Sequence, residues 1–136
     1  MTFVIDASVT VAWYFGDEQS GEADAVLSRV LDEGAVAPAH WPLEVANAIL
    51  VAARRGRIGR DELPTIRSLV RGLPVEVVPV ELPTALGLIE TAERHALSLD
   101  DAAYLELADV RGLGLATLDG GLASACLAAG VPLIRA

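Results

Sequence analysis

The sequence predicts an α/β fold, a three-layer arrangement of about five parallel strands with helices on both faces. Two observations point there. Short apolar runs alternate with longer segments of helical spacing from one end of the chain to the other. Connections between them are brief and carry Gly, Pro or a capping residue, so strands joined through helices run parallel and are covered on both sides. With 136 residues the chain fits one domain over 1–136. A domain of that size buries roughly 65–70% of its unfolded surface and needs no disulfide or metal staple to hold a core.

Taken in order, Thr2–Asp6 reads as a short buried strand. Ser8–Phe15 is helical and ends at Gly16. Ser20 can cap a helix to about Leu31, in which Ala23, Val26, Leu27, Val30 and Leu31 keep helical spacing. A second strand is expected at Ala35–Ala37. Pro42 suits the first position of a helix that runs through Arg55 and stops at Gly56. Asp61 opens another helix, with Pro64 in its first turn and its end before Gly72. Val75–Val80 is a strand interrupted by Pro79, which favours an edge or a strand end. Pro83–His95 is a helix, and Ser98 caps the next, to about Val110. A strand at Leu115–Leu118, a helix over Gly121–Ala129 closed by Gly130, and a last strand at Val131–Ile134 complete the chain.

Composition narrows the class. The single Cys126 has no internal partner, and there is no basic stretch followed by a cleavable apolar segment, so a cytoplasmic protein is expected. The apolar stretch from Leu113 to Ile134 is broken by Asp119, four glycines and Pro132, which argues for strand–helix–strand over a membrane span. The formal charge is −9, which by itself disfavours nucleic acid as a partner. The distribution says more. Arg54, Arg55, Arg57, Arg60, Arg67 and Arg71 fall in one short window opposed only by Asp61 and Glu62, a local excess of +4 that leaves −13 elsewhere. There is no lysine at all, which excludes P-loop sites and other phosphate sites built on one.

Four acids stand where chemistry can collect. Asp6 closes Phe3-Val4-Ile5, Asp119 closes the Leu115–Leu118 run, and Glu44 and Asp101 each fall in a first helical turn. In a parallel sheet the carboxyl ends of the strands share one edge, and helix starts meet them there. Converging carboxylates repel by about 4 kcal/mol per close pair at an effective dielectric near 20. The sequence offers too few cationic side chains nearby to neutralise them. A hard divalent cation does so, and oxygen ligands select Mg²⁺ or Mn²⁺.

Each residue has a plainer reading as well. Asp6 or Ser8 can cap the following helix, although two aspartates closing two different strands ask for more than caps. Glu44 is favoured in a first turn by the helix dipole, and Asn47, three residues on, shares its face. Asp100 and Asp101 point about 100° apart on a helix, so Asp101 is assigned to the site and Asp100 left as a helper. Thr117 shares a strand direction with Asp119 and can support it or a bound water. His40 and His95 lack a second His or Cys at ligand spacing, which discounts zinc. Trp13, Tyr14, Phe15 and Trp41 read as core or as the wall of a partner groove, and Cys126 as packing.

Read together, Asp6-x-Ser8, Pro42-Leu43-Glu44-x-x-Asn47, Leu99-Asp100-Asp101-Ala102-x-Tyr104-Leu105-x-Leu107-Ala108 and Ala116-Thr117-x-Asp119-x-x-Leu122 resemble the motifs of PIN-domain nucleases. More narrowly, they resemble VapC toxins of prokaryotic toxin–antitoxin pairs. The resemblance spans nearly the whole chain. It implies a PIN-like three-layer sandwich, a Mg²⁺- or Mn²⁺-dependent ribonuclease, a homodimer and a VapB-type antitoxin. It assigns Asp6, Glu44, Asp101 and Asp119 to the acidic site, with Ser8 and Thr117 as supporting hydroxyls. At Asp100 many relatives carry an aromatic residue instead.

The expected reaction is attack on an RNA phosphodiester by metal-activated water. Arg54, Arg55 and Arg57 are expected on the flanking phosphates, and an apolar antitoxin segment over the aromatic surface near Trp13–Phe15. Two other readings compete. Asp6-x-Ser8-x-Thr10 resembles the opening of haloacid-dehalogenase phosphohydrolases, but their second Asp and their Lys are missing. A PIN-like protein-interaction module that has lost catalysis is the other, and the presence of all four acids disfavours it.

Overall fold

Phe3, Val4 and Ile5 are all buried, which three consecutive residues of a strand achieve only when both faces of the sheet are covered. They form β1 (Phe3–Ile5) of a computed structural model that describes residues 1–15 and 21–135. β1 pairs in parallel with β2 (Ala35–Pro38) on one side and with β4 (Leu115–Ala116) on the other. β3 (Val75–Val78) pairs in parallel outside β2, giving the order β3-β2-β1-β4. The fold class is the one the sequence predicts, with one strand fewer in the sheet.

The missing strand is the last. Instead of a ladder over Val131–Ile134, Leu133 makes a single parallel bridge to Leu115. The Leu115 amide donates to the Pro132 carbonyl and the Ile134 amide to the Leu115 carbonyl, both at 2.9 Å. Pro132 has no N–H to continue the pairing, and β4 offers only two residues before the chain turns away. The approach is close as well. A Cβ at Gly114 would lie 2.5 Å from Cδ1 of Ile134 and 3.1 Å from the Pro132 carbonyl, so a side chain there would have to push the Ile134 side chain aside and crowd that carbonyl. β3 stops at Val78 for the same reason that Pro132 ends pairing, since Pro79 follows it, and it lies at the sheet edge as expected.

Seven helices connect and cover the described strands: α1 (Ala7–Ala12), α2 (Gly21–Glu33), α3 (Trp41–Arg54), α4 (Leu63–Arg71), α5 (Leu82–His95), α6 (Leu99–Arg111) and α7 (Gly120–Ala129). Pro42, Pro64 and Pro83 each sit in a first turn, where the missing N–H costs nothing. The capping role read for Ser20 lies outside the described residues. α6 packs on β1, β2 and β4 as well as on α5 and α7, while α1 packs on α3 and α2. The main core gathers around β1, with Val36, Tyr104, Leu105, Leu115 and Leu122. A smaller cluster of Phe15, Ala52, Ala53, Ile58 and Ile66 fills the space between the end of α1 and the α3–α4 pair.

That second cluster corrects one expectation. Trp13 is 4% exposed and Phe15 2%, and the Trp13 indole N–H donates to the Ala23 carbonyl at 2.7 Å. These rings pack inward because their apolar area is worth more inside than at the surface. These two rings offer no surface to an antitoxin segment, and only Tyr14 between them is partly exposed. Cys126 is buried as read from the sequence, and burial first, then the Asp6 charge, push its thiol up to about 11. Among the described residues no helix is long and apolar enough to cross a membrane.

Candidate active site

The sheet register builds the first half of the site. Ile5 pairs with Ala116, so the residues that follow, Asp6 and Thr117, leave adjacent strands side by side at the carboxyl edge. Asp6 caps α1. Its Oδ1 accepts the Val9 amide at 3.0 Å and the Ser8 hydroxyl at 2.7 Å, and its Oδ2 accepts the Thr117 hydroxyl. Ser8 Oγ in turn accepts the Leu118 amide at 3.0 Å, and Thr117 Oγ1 accepts the Asp119 amide at 3.0 Å. Asp119 caps α7 by accepting the Leu122 amide at 2.9 Å. Capping and convergence therefore coexist: both aspartates cap helices, and one hydrogen-bonded loop joins them. Thr117 supports the Asp6 carboxylate, whereas the sequence pointed it at the side chain of Asp119. β4 ends at Ala116, so strand alternation does not carry through to Asp119.

The second half comes from α3 and α6. Glu44 lies in the first turn of α3 and Asp101 in the first turn of α6, where Ser98 caps by accepting the Asp101 amide at 3.1 Å. The hydroxyl of Tyr104, one turn after Asp101, donates to Glu44 Oε1 at 2.8 Å across 60 positions of sequence. Nε2 of His40 lies 3.0 Å from the same oxygen, off the axis of a hydrogen bond. His40 is thus not isolated, as its sequence context suggested: ligand atoms of His40, Glu44 and Asp100 all lie within 4.8 Å of one another. Asp100 reaches the His40–Glu44 pair, while Asp101 feels the Asp119 and Glu44 charges. Asp100 itself is exposed.

The electrostatics couple the acids. Asp6 is 4% exposed, and that burial raises its carboxyl to about 6 despite the hydrogen bonds from Thr117, Ser8 and Val9, with the Asp101 charge adding to the rise. Asp101 is raised first by burial and then by the charges of Asp119 and Glu44, with Ser98 opposing and Asp100 adding. Among the described residues no arginine pairs with any of the four carboxylates. An oxygen-rich, mutually repelling, uncompensated set fits a hard divalent cation. The four are not in mutual contact; the close trio is the one around His40. A hard cation that keeps part of its water shell needs only one or two of these carboxylates directly.

An open cleft of about 510 Å³ lined by Ser8, Val11, Leu118 and Asp119 adjoins this edge. Asn47 is exposed on α3 one turn beyond Glu44. Arg54 is ten residues from Glu44 on the same helix, about 15 Å along its axis at 1.5 Å per residue. Arg54 and Arg55 are exposed, and the guanidinium of Arg57 lies 5.1 Å over the Phe15 ring. Arg60, Arg67 and Arg71 belong elsewhere: they line a groove of about 550 Å³ between α3 and α4, with Val45, Ile49 and Leu63 among its apolar walls. The arginine-rich window therefore divides into two surfaces.

Two residues escaped the sequence reading. His40 precedes Glu44 by four positions, the spacing of one helical turn, and that signal was available. Tyr104 stood in the motif, three residues from Asp101, but nothing in the sequence showed that it reaches Glu44.

The PIN domain family model matches residues 3–127, and the chain belongs to that family. Ribonuclease VapC3 of Pyrobaculum aerophilum is 34% identical over 127 residues, covering 90% of this chain and 93% of the relative. Ribonuclease VapC3 of Mycobacterium tuberculosis is 34% identical over 125 residues, covering 90% and 85%. The crystal structure of PAE2754 from Pyrobaculum aerophilum superposes with a TM-score of 0.66 at 25% identity, covering 92% of this chain and 87% of that one. Within the PIN family the chain is of the VapC type.

Proposed function

We propose that this protein is a divalent-metal-dependent endoribonuclease and the toxin of a type II toxin–antitoxin pair. The observation that carries the reading is the uncompensated acid cluster: Asp6 raised to about 6 and Asp101 also raised, with no arginine on either among the described residues. Family membership and the ribonuclease names of the relatives support the same reaction.

Asp6, Glu44, Asp101 and Asp119 would hold Mg²⁺ or Mn²⁺. Such a cation supplies an acidified water and neutralises charge on the scissile phosphate. The chain's own residues do the positioning. Ser8 and Thr117 hold the two oxygens of Asp6, and the Val9 and Leu122 amides fix Asp6 and Asp119 at their helix starts. Asn47 and the exposed Arg54 and Arg55, with Arg57, would meet the RNA beyond the reacting bond, where phosphate contacts set register without reading sequence. A single domain over 1–136, a cytoplasmic setting, a second copy as homodimer partner and a VapB-type antitoxin belong to the same proposal. With Trp13 and Phe15 buried, Tyr14 is what that stretch leaves open to an antitoxin.

The test is RNA cleavage by the purified full chain. Cleavage with Mg²⁺ or Mn²⁺, lost with EDTA and lost in Asp6→Asn, is expected. A folded chain that cleaves no RNA at any cation concentration would overturn the enzyme in favour of an interaction module.

A further inference from the structure

We infer that Tyr104 and His40 are positioning residues for Glu44, gripping one oxygen of its carboxylate so that the other is presented in a fixed direction. The inference rests on the metal-dependent reading above and adds what holds one of its helix-borne ligands still.

Three observations converge. Both side chains meet the same atom: Tyr104 Oη donates to Glu44 Oε1 at 2.8 Å, and His40 Nε2 lies 3.0 Å from it outside hydrogen-bond geometry. Among the described residues Oε2 has no partner. Second, His40 occupies the N-cap position of α3 without capping it. Cap positions favour Ser, Thr, Asp or Asn, whose short side chains reach back to the helix amides. Here the ring instead lies over the first turn toward Glu44. Third, the two rings lock each other, with centroids 4.9 Å apart at 67°, an edge-to-face contact.

Tyr104 is suited to the task. It is 1% exposed and projects from α6 into the core, which restricts where its hydroxyl can reach. Burial, the Glu44 hydrogen bond and nearby negative charge raise its phenol far above the ordinary range, which keeps it a donor. A free glutamate samples many rotamers, and fixing it beforehand removes an ordering cost from cation binding. Partners of metal-binding carboxylates commonly change affinity or activity by about 10–100-fold when lost.

The experiment measures Mn²⁺ binding to the full chain by titration calorimetry, with RNA cleavage in parallel. Tyr104→Phe removes one oxygen; His40→Ala removes the ring, and His40→Gln returns a polar group at a similar reach. Tyr104→Phe and His40→Ala are each expected to weaken Mn²⁺ binding by about 10-fold or more. The rate kcat falls while the KM for RNA holds, and His40→Gln recovers most of the loss. Wild-type Mn²⁺ affinity in both Tyr104→Phe and His40→Ala overturns the inference, whatever their melting temperatures do, and leaves the metal reading intact. Wild-type affinity in Glu44→Gln removes the ground for the inference itself, because Glu44 is then no ligand.

Discussion

Replacing Asp6 by asparagine should stabilise the metal-free protein while ending its proposed activity. Asp6 has its carboxyl raised from 3.8 to about 6 by burial, net of its three hydrogen bonds. An acid raised on folding binds its proton more tightly in the native state than in the unfolded chain. Native-state stability therefore falls as pH climbs from about 4 to about 6, and the full penalty is present above that window. About 2 pKa units at 1.36 kcal/mol each is roughly 3 kcal/mol. The asparagine side chain carries no charge. Its Oδ1 can still accept from Ser8 and Val9, but its amide nitrogen faces Thr117, whose hydroxyl hydrogen loses its acceptor at a cost of about 1 kcal/mol. The net expectation is a gain of about 2 kcal/mol at pH 7.5 and a small loss near pH 4. Urea denaturation of both proteins in EDTA at the two pH values measures it. Comparison at each pH cancels the titration of distant carboxylates, which the variants share. An Asp6→Asn protein less stable than wild type at pH 7.5, or a difference that ignores pH, refutes the electrostatic account of the cleft.

Cation should reverse that ordering: wild type gains about 2.7 kcal/mol at a hundred dissociation constants of Mn²⁺, and Asp6→Asn gains far less, as thermal melts would record. Thr10→Val should cost about 1–3 kcal/mol, because buried Thr10 accepts the Trp41 indole N–H at 3.2 Å and donates to the Asp6 carbonyl at 2.8 Å; an unchanged urea midpoint would count against that link. Arg54→Ala with Arg55→Ala should weaken RNA binding and shrink its log–log salt slope by about 1.4, two phosphate contacts at 0.7 each for single strands. Arg57 is kept in that variant because its guanidinium lies over Phe15. Filter binding at several salt concentrations that leaves the slope untouched would remove these arginines from the RNA path.

Much of the architecture was legible because its signals are local. Helix starts at Pro42, Pro83 and Ser98, and the stop at Gly130, rest on backbone chemistry that holds in any context, whereas α4 begins at Leu63 and not at Asp61. Strand extents were less legible: Val131–Ile134 is apolar enough for a strand, but whether it pairs depends on Pro132 facing a partner only two residues long. For the candidate site, strand-end and helix-start positions announced Asp6, Glu44, Asp101 and Asp119. What stayed hidden were contacts between segments far apart in sequence, such as Tyr104 with Glu44 and Thr117 with Asp6. The arginine window misled for a related reason. Composition counted six cations together, while the α3–α4 turn sent three of them to an apolar groove.

The loop of hydrogen bonds running from Leu118 through Ser8 and Asp6 to Thr117 and Asp119 ties the beginning of the polypeptide to its last helix. Synthesis delivers Asp6 111 residues before Thr117. Until that late stretch has emerged, Asp6 lacks the neighbour strand that buries it and the hydroxyl that steadies it. A chain cut short before Thr117 therefore lacks the assembled cleft, however the rest of it has folded.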